Sequence, residues 1–435
     1  MPAPNNSRVS RRRLKLVLAL TSAATVVGCQ TTSDSLGRNE PTSVGTRHLL
    51  PVKGPSSYPS GFRDTGIASD QQIASKIESA FNQLFHGDPG SQAIFFPVGT
   101  DEANIQDINH SNEVRTEGMG LAMLIAVELG KQNEFNQLWR YARAEMMESA
   151  GPKSGYFKSY CDTSYNDTTP PVRCWDPFGL QLFVMALIFA HDRWPEVSAV
   201  SDAGAINYES DAFMLFDTMR LKEQENGGVI EDVTNTFDDP THLVYNDPTS
   251  GRTNFTRPST EMPAFYELWA QATGDSYWSM AATNARAYWK NAANPSTGML
   301  PVRAYFSGAS YPGWDVFAPE GFRTQLNMVL DQIWNGGDPW EVSEADQLIG
   351  FFSRYSNQQF PKIYKLDGTV VDPETGDTAL IVLNGMSALI STNGNRTSFI
   401  NAVWNLPVPN GPYRYYGGLL DIIALMVLGG QFRVY

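Results

Sequence analysis

Apolar residues recur with the period of an α-helix along nearly the whole chain from Asp70 onward, and this restricts the fold more than any motif does. Ile73, Ile77, Phe81 and Leu84 share one face of a first helix. Met119, Met123, Val127 and Leu129 mark a second, and Phe135, Leu138, Trp139 and Tyr141 a third. The spacing predicts nine more, over 177–191, 209–224, 258–273, 276–291, 320–335, 338–356, 375–391, 396–404 and 417–429, with no clear sheet. Every second helix is apolar on all sides, as in Gly118–Glu128 and Leu419–Leu428, whereas its neighbours carry a polar face. A helix without a polar face must be buried, and one with a single apolar stripe covers it. Twelve helices alternating in this way predict an all-α toroid, an (α/α)6 barrel with an inner and an outer ring. Long connections over 88–114, 150–175, 226–257 and 292–319 are the places for a site, because loops on a rigid scaffold carry function.

The N-terminus reads as an address. Arg8, Arg11, Arg12, Arg13 and Lys15 precede an apolar stretch from Leu16 to Val27, too short to span a bilayer and flanked as a secretion signal is. Val26-Val27-Gly28-Cys29 resembles a lipobox, so Cys29 is expected to be lipidated and to become the first residue, and Gln30 after it resembles outer-membrane sorting. This divides the chain into a signal at 1–28, a Ser-, Thr-, Pro- and Gly-rich tether at 29–60, and a folded domain at 61–435. Expected, then, is a monomer in a bacterial envelope, held by lipid at the outer membrane. The remaining cysteines, Cys161 and Cys174, are expected to form a disulfide in an oxidising compartment.

Removal of residues 1–28 takes away five positive charges and no negative ones, carrying the formal charge from −14 to −19. Such a surface is unsuited to nucleic acid. No Gly-rich phosphate loop, HExxH or cysteine cluster is present, and neither a metal nor an organic cofactor is expected. Asp232, Asp238, Asp239 and Asp247 match no calcium-loop spacing and read as a solvated loop. What remains is carboxylates and aromatics in loops, at 12% aromatic residues overall, which is the vocabulary of carbohydrate chemistry. Glu117 stands at the mouth of an otherwise apolar helix, where desolvation raises a carboxyl's pKa as a general acid requires, although it would also suit the positive end of the helix dipole.

Glu113-Val-Arg-Thr-Glu-Gly-Met-Gly-Leu-Ala-Met-Leu-Ile-Ala-Val127 followed by Phe135-Asn-Gln-Leu-Trp139 resembles the general-acid motif of glycoside hydrolase family 8. The stretches ending in Asp107, Ser259, Glu267, Pro409, Tyr416 and Tyr435 are similar to its branch of reducing-end xylose-releasing exo-oligoxylanases, over roughly 60–435. The resemblance implies an (α/α)6 barrel that hydrolyses a β-linked oligo- or polysaccharide with inversion, with Glu117 as the acid. Asp107, Arg115, Asp176 and Arg257 are expected to meet the sugar in its cleft. Trp175, Trp314, Tyr311, Tyr415 and Tyr416 lie in loops or at helix ends, where a ring can stack on a pyranose face or else pack in the core.

The chain departs from the branch at two positions where an Asp is expected: Arg257 before Pro258, and Phe178 before Gly179. Arg stays protonated and cannot be a base. Glu261, four residues on, is the favoured replacement, ionised by Arg257, unless the two are a surface pair. Asp176, Asp315 and Glu320 are the other candidates. A second reading keeps the fold but not the hydrolysis, as a glycan-binding lipoprotein of surface polysaccharide assembly or export. A carboxylate facing Glu117 across the cleft separates the two.

Overall fold

The computed structural model describes residues 47–161, 172–194, 206–252 and 254–435. Cys29 and the signal lie outside them. The compact unit begins at His48, twelve residues before the expected end of the tether. Leu49 and Val52 are buried, and the Leu50 amide donates to the Ala272 carbonyl at 2.8 Å, so this stretch belongs to the fold.

Twelve helices of ten or more residues carry it among the described residues: α1 Asp70–His86, α2 Thr116–Glu128, α3 Gln132–Tyr141, α4 Pro177–Arg193, α5 Tyr208–Asn226, α6 Pro263–Thr273, α7 Ser276–Ala292, α8 Thr324–Asn335, α9 Pro339–Phe352, α10 Thr378–Ile390, α11 Arg396–Asn405 and α12 Arg414–Leu428. The even-numbered helices form a closed inner ring, each against the next and α12 against α2. The odd-numbered ones lie outside, α1 on α12, α3 on α2, α5 on α4, α7 on α6, α9 on α8 and α11 on α10. Their burial follows the sequence pattern. Every residue of α2 except Glu117 is buried, whereas α3 buries only Phe135, Leu138 and Trp139. This is the (α/α)6 barrel.

Side chains are small where inner helices touch. A Cβ on Gly179 of α4 would stand 2.5 Å from the Thr116 carbonyl carbon, and one on Gly120 of α2 would stand 2.5 Å from the Leu182 Cβ. The starts of α2 and α4 are therefore in backbone contact. Asp176 caps α4 by accepting from the amides of Phe178 (3.3 Å) and Gly179 (3.2 Å), and it accepts the Thr116 hydroxyl at 3.4 Å. At the far end of α2 the chain's last residues close over Glu128. The Arg433 amide donates to its carboxylate at 3.1 and 3.2 Å, the Tyr435 hydroxyl donates to its carbonyl at 3.1 Å, and Phe432 stacks on Trp334 at 5.6 Å.

Between the helices, strands occur only as short pieces among the described residues. The long connections hold short antiparallel pairs: β1 Phe95–Val98 with β2 Glu102–Ile105, β3 Ser159–Cys161 with β4 Val172–Cys174, β5 Phe255–Thr256 with β6 Ala304–Tyr305, and β7 Val316–Phe317, β8 Pro361–Lys365 and β9 Val370–Thr375 in one three-stranded sheet. Strands of two to six residues are too short to show a clear alternation. In β3 and β4, Cys161 stands opposite Val172 and Cys174 opposite Ser159. The two sulfurs lie outside what is described.

Gly179→Ala should lower stability by about 1–3 kcal/mol, because the new methyl meets backbone rather than a movable side chain. A urea midpoint equal to that of the wild type would show that α2 and α4 have room to separate.

Candidate active site

Along an inner helix nearly every side chain is enclosed, so side chains open to solvent collect at its ends. Glu117 is the second residue of α2, and its side chain keeps 17% of its exposure. Tyr416 is the unburied member of the run Arg414–Leu428 in α12. Both open on a cleft of about 240 Å³ lined also by Asp107, His110, Arg115, Asp176, Arg257, Pro319, Glu320, Arg323 and Tyr415.

Arg323 organises the floor. It sits where the short helix Pro319–Phe322 passes into α8 and is only 3% exposed. Its Nη1 donates to the Glu117 carboxylate, and its guanidinium lies 4.2 Å from the centre of the Phe178 ring. Phe178, where an Asp was expected, thus supplies an aromatic face to a cation. Burial pushes the Glu117 carboxyl above its ordinary range. Arg323 pulls it down, the nearby Asp176 charge pushes it up, and Arg115 pulls it down again, with the net displacement upward.

One wall comes from the segment before α2. The carboxylate of Asp107 meets His110 Nδ1 at 2.8 Å and Arg115 Nε at 3.5 Å, and Arg115 Nη2 donates to Glu113 at 3.0 Å. Tyr415 packs against Gly118, which has no space for a Cβ, and its hydroxyl is buried without a partner among the described residues. Arg257 and Glu320 also line the cleft. Arg257 Nε donates to Asn246 Oδ1 at 3.0 Å, and its Nη1 stands 3.7 Å from Glu320 Oε1. Glu320 Oε2 and Arg323 Nε are buried with no hydrogen bond among the described residues. Such atoms are costly to leave unpaired and suit a ligand that pairs them.

Asp107, Arg115, Glu117, Asp176, Arg257, Tyr415 and Tyr416 are thus brought together. Trp175 is not among them. It lines a smaller hollow next to Asp176, stacked on Tyr156 at 6.0 Å with Lys153 Nζ 5.4 Å from its ring. Neither Tyr311 nor Trp314 lines the cleft: the Tyr311 ring lies tilted against Phe255 at 4.3 Å, and the Trp314 ring lies 3.5 Å from the Arg303 guanidinium. Asp315 is exposed outside it. Asp238 spends its oxygens on Thr241 and Tyr245 within its own loop.

Glu261 requires the main correction. Pro258–Thr260 is one turn of 3-10 helix and Pro263 starts α6 two residues later, so Glu261 and Arg257 share no helical face. Glu261 is wholly buried and accepts from the Val244 amide (2.9 Å), the Thr256 hydroxyl (3.3 Å) and the Tyr266 hydroxyl (3.5 Å). Burial raises its pKa to about 8 despite these three donors. A carboxyl enclosed in the core and neutral at pH 7 activates no water in the cleft. Arg323 and His110 carry no signal that the sequence reading used. Arg323 could have been found by the reasoning that found Glu117, as a charged residue opening an inner helix.

The family described as glycosyl hydrolases family 8 matches residues 98–430. The reducing-end xylose-releasing exo-oligoxylanase Rex8A of Paenibacillus barcinonensis is 30% identical over 399 residues, covering 88% of this chain and 100% of that protein. Endoglucanase C of Ruminiclostridium cellulolyticum is 25% identical over 332 residues, covering 75% of this chain and 66% of that protein. Among solved structures, Rex8A complexed with xylose superimposes with a TM-score of 0.78 at 29% identity, over 88% of this chain and all of that one. A xylobiose complex from Teredinibacter turnerae gives 0.77 at 29%, over 87% and 98%.

Glu261 also makes stability depend on pH. Its folded pKa of about 8 lies above the ordinary 4.5, so the folded state holds a proton that the unfolded chain loses. The stabilisation is full below about pH 4.5 and is lost as pH rises through 8. Glu261→Gln should therefore show a shallower fall of the denaturant midpoint between about pH 5 and 8. Equal slopes in the two proteins would remove Glu261 as the cause.

Proposed function

The chain belongs to glycosyl hydrolase family 8, and we propose that within this family of inverting glycosidases it cleaves β-linked xylo-oligosaccharides, with Glu117 as general acid and Glu320 as general base. The observation that carries this is the meeting of the one unburied residue of α2 with Glu320 in a single cleft. A second carboxylate in the same cleft favours turnover over mere glycan binding.

Glu320 is preferred to the other cleft carboxylates because they are engaged. Asp176 caps α4, and Asp107 is held by His110 and Arg115. Glu320 keeps one oxygen without a hydrogen-bond partner among the described residues, and its other oxygen stands 3.7 Å from Arg257 Nη1. In the proposed step Glu117 gives its proton to the departing glycosidic oxygen as the bond to the anomeric carbon breaks. Glu320 takes a proton from a water that forms the new C–O bond on the opposite face. The two carboxyls then re-equilibrate through solvent. A sugar filling the cleft expels water and reinforces the desolvation that keeps the proton on Glu117. Xylan-type rather than cellulose-type substrate is favoured by the higher identity to the exo-oligoxylanase, 30% against 25% for the endoglucanase.

Export as a lipoprotein completes the proposal, with Cys29 acylated and residues 30–47 as the tether to an outer membrane. Metabolic labelling with palmitate should mark the wild type and not Cys29→Ser. Label on both proteins would refute the anchor.

Incubation with xylo-oligosaccharides and proton NMR of the first products should give the α-anomer from β-linked substrate, and a first product in the β-configuration would overturn inversion. Glu117→Gln and Glu320→Gln should each lower kcat by about 10²–10⁴ with little change in melting temperature. Full activity in Glu320→Gln would return the base to Asp176.

A further inference from the structure

One side chain in the cleft takes no part in the steps proposed for hydrolysis. His110 lines the same cavity as Glu117 and Glu320, and its side chain is 48% exposed. The segment that carries it is a turn shut at both ends. The Asp107 amide donates to the Glu113 carbonyl at 2.8 Å, and the Asp107 carbonyl accepts the amides of His110 (3.1 Å) and Asn112 (3.0 Å). Ser111 and Asn112, next along the chain, have φ of +58° and +61°. Two consecutive left-handed residues, neither of them glycine, are costly, and folds retain such strain where it presents a functional group.

The ring is aimed as well as held. Its Nδ1 meets the Asp107 carboxylate at 2.8 Å, and that carboxylate is itself buried and steadied by Arg115 Nε at 3.5 Å. A carboxylate can only accept, so Nδ1 carries the proton, and in the neutral ring Nε2 is left as an acceptor. Nε2 takes no hydrogen bond among the described residues. An acceptor fixed in direction at a cleft selects groups that can donate. On a sugar these are the hydroxyls, because ring and glycosidic oxygens carry no hydrogen.

We propose that His110 is a specificity-determining residue of this cleft, whose Nε2 accepts a hydrogen bond from one free hydroxyl of the bound saccharide. Asp107 is the positioning residue that fixes its tautomer. The inference deepens the glycosidase reading and takes from it that the ligand is a β-linked xylo-oligosaccharide. A sugar with no hydrogen to give at that hydroxyl leaves Nε2 unpaired and binds less tightly.

The test uses calorimetric titration of the full chain with xylotetraose in the slow variant Glu117→Gln, so that binding is read apart from turnover. Adding His110→Ala should weaken binding about tenfold, the worth of one lost hydrogen bond. Two further substitutions separate contact with sugar from support of Asp107. Asn puts its amide where Nδ1 stands and can still donate to Asp107, whereas Gln reaches the place of Nε2 and can still accept from a hydroxyl. His110→Gln should recover most of the affinity and His110→Asn should not. Among xylobiosides each lacking one hydroxyl, one should bind about tenfold more weakly than xylobiose to Glu117→Gln and equally well to its His110→Ala derivative. Recovery in His110→Asn would show that the ring only steadies Asp107. That result, recovery in neither variant, affinity unmoved in His110→Ala, or no analogue showing the coupling overturns the proposal, while hydrolysis of xylotetraose by the wild type leaves the glycosidase reading intact. His110-dependent binding without hydrolysis sinks the glycosidase reading and keeps the role of His110. Absence of xylotetraose binding overturns that role.

Discussion

A helix enclosed on every side can open a charged side chain to solvent only at its ends, and much of this molecule follows from that; a carboxyl further along, such as Asp331 of α8, is buried against a partner, Arg286 at 2.6 Å. The inner ring is closed by contacts so tight that α2 and α4 meet backbone to backbone at Gly179 and Thr116. Side chains along such helices must be apolar or satisfied within the core. Polar chemistry is driven to the rim, where α2, α4, α8 and α12 bring Glu117, Asp176, Arg323 and Tyr416 to one cleft. The barrel thus sets the stage for catalysis by exclusion.

The same enclosure makes carboxyl groups behave differently according to depth. Glu117 at the rim is raised by burial yet checked by Arg323, a balance suited to a group that must give up a proton and regain it. Glu261 and Glu344, deeper, are both pushed to about 8 by burial, which Glu344 meets with no opposing influence. They are acids in the core, not reagents. Enclosure, more than residue type, separates the carboxyl that opens on the cleft from those that do not.

The architecture was legible because amphipathic and apolar helices alternate over the whole folded chain, and each of the twelve segments became a helix. Glu117 was legible for a local reason, a lone acid opening an apolar run. The mid-chain base was misread because Arg257 and Glu261 look like a helical pair in one dimension. Pro258 and Pro263 instead make a single 3-10 turn that sends the two side chains to different surroundings. The β8–β9 hairpin was passed over although Asp367-Gly368 followed by Val370 and Val371 is a turn-and-strand signal, and Gly368 takes the φ of +87° that such a turn needs. Arg323 fell inside a segment read as uniformly helical, so its place at a junction between two helices was invisible. Trp175 was assigned to sugar on residue type and position, and it lies in a separate hollow near Tyr156 and Lys153.

The seal over Glu128 bears on the order of folding. The Arg433 amide and the Tyr435 hydroxyl, which close the far end of α2, stand 305 and 307 residues from Glu128 along the chain, and α12, which completes the ring beside α2, directly precedes them. The ring is therefore shut by contacts between distant parts of the chain, which form only after a large loss of loop entropy. Closure of the ring, not formation of its helices, is the slow event that such an architecture dictates.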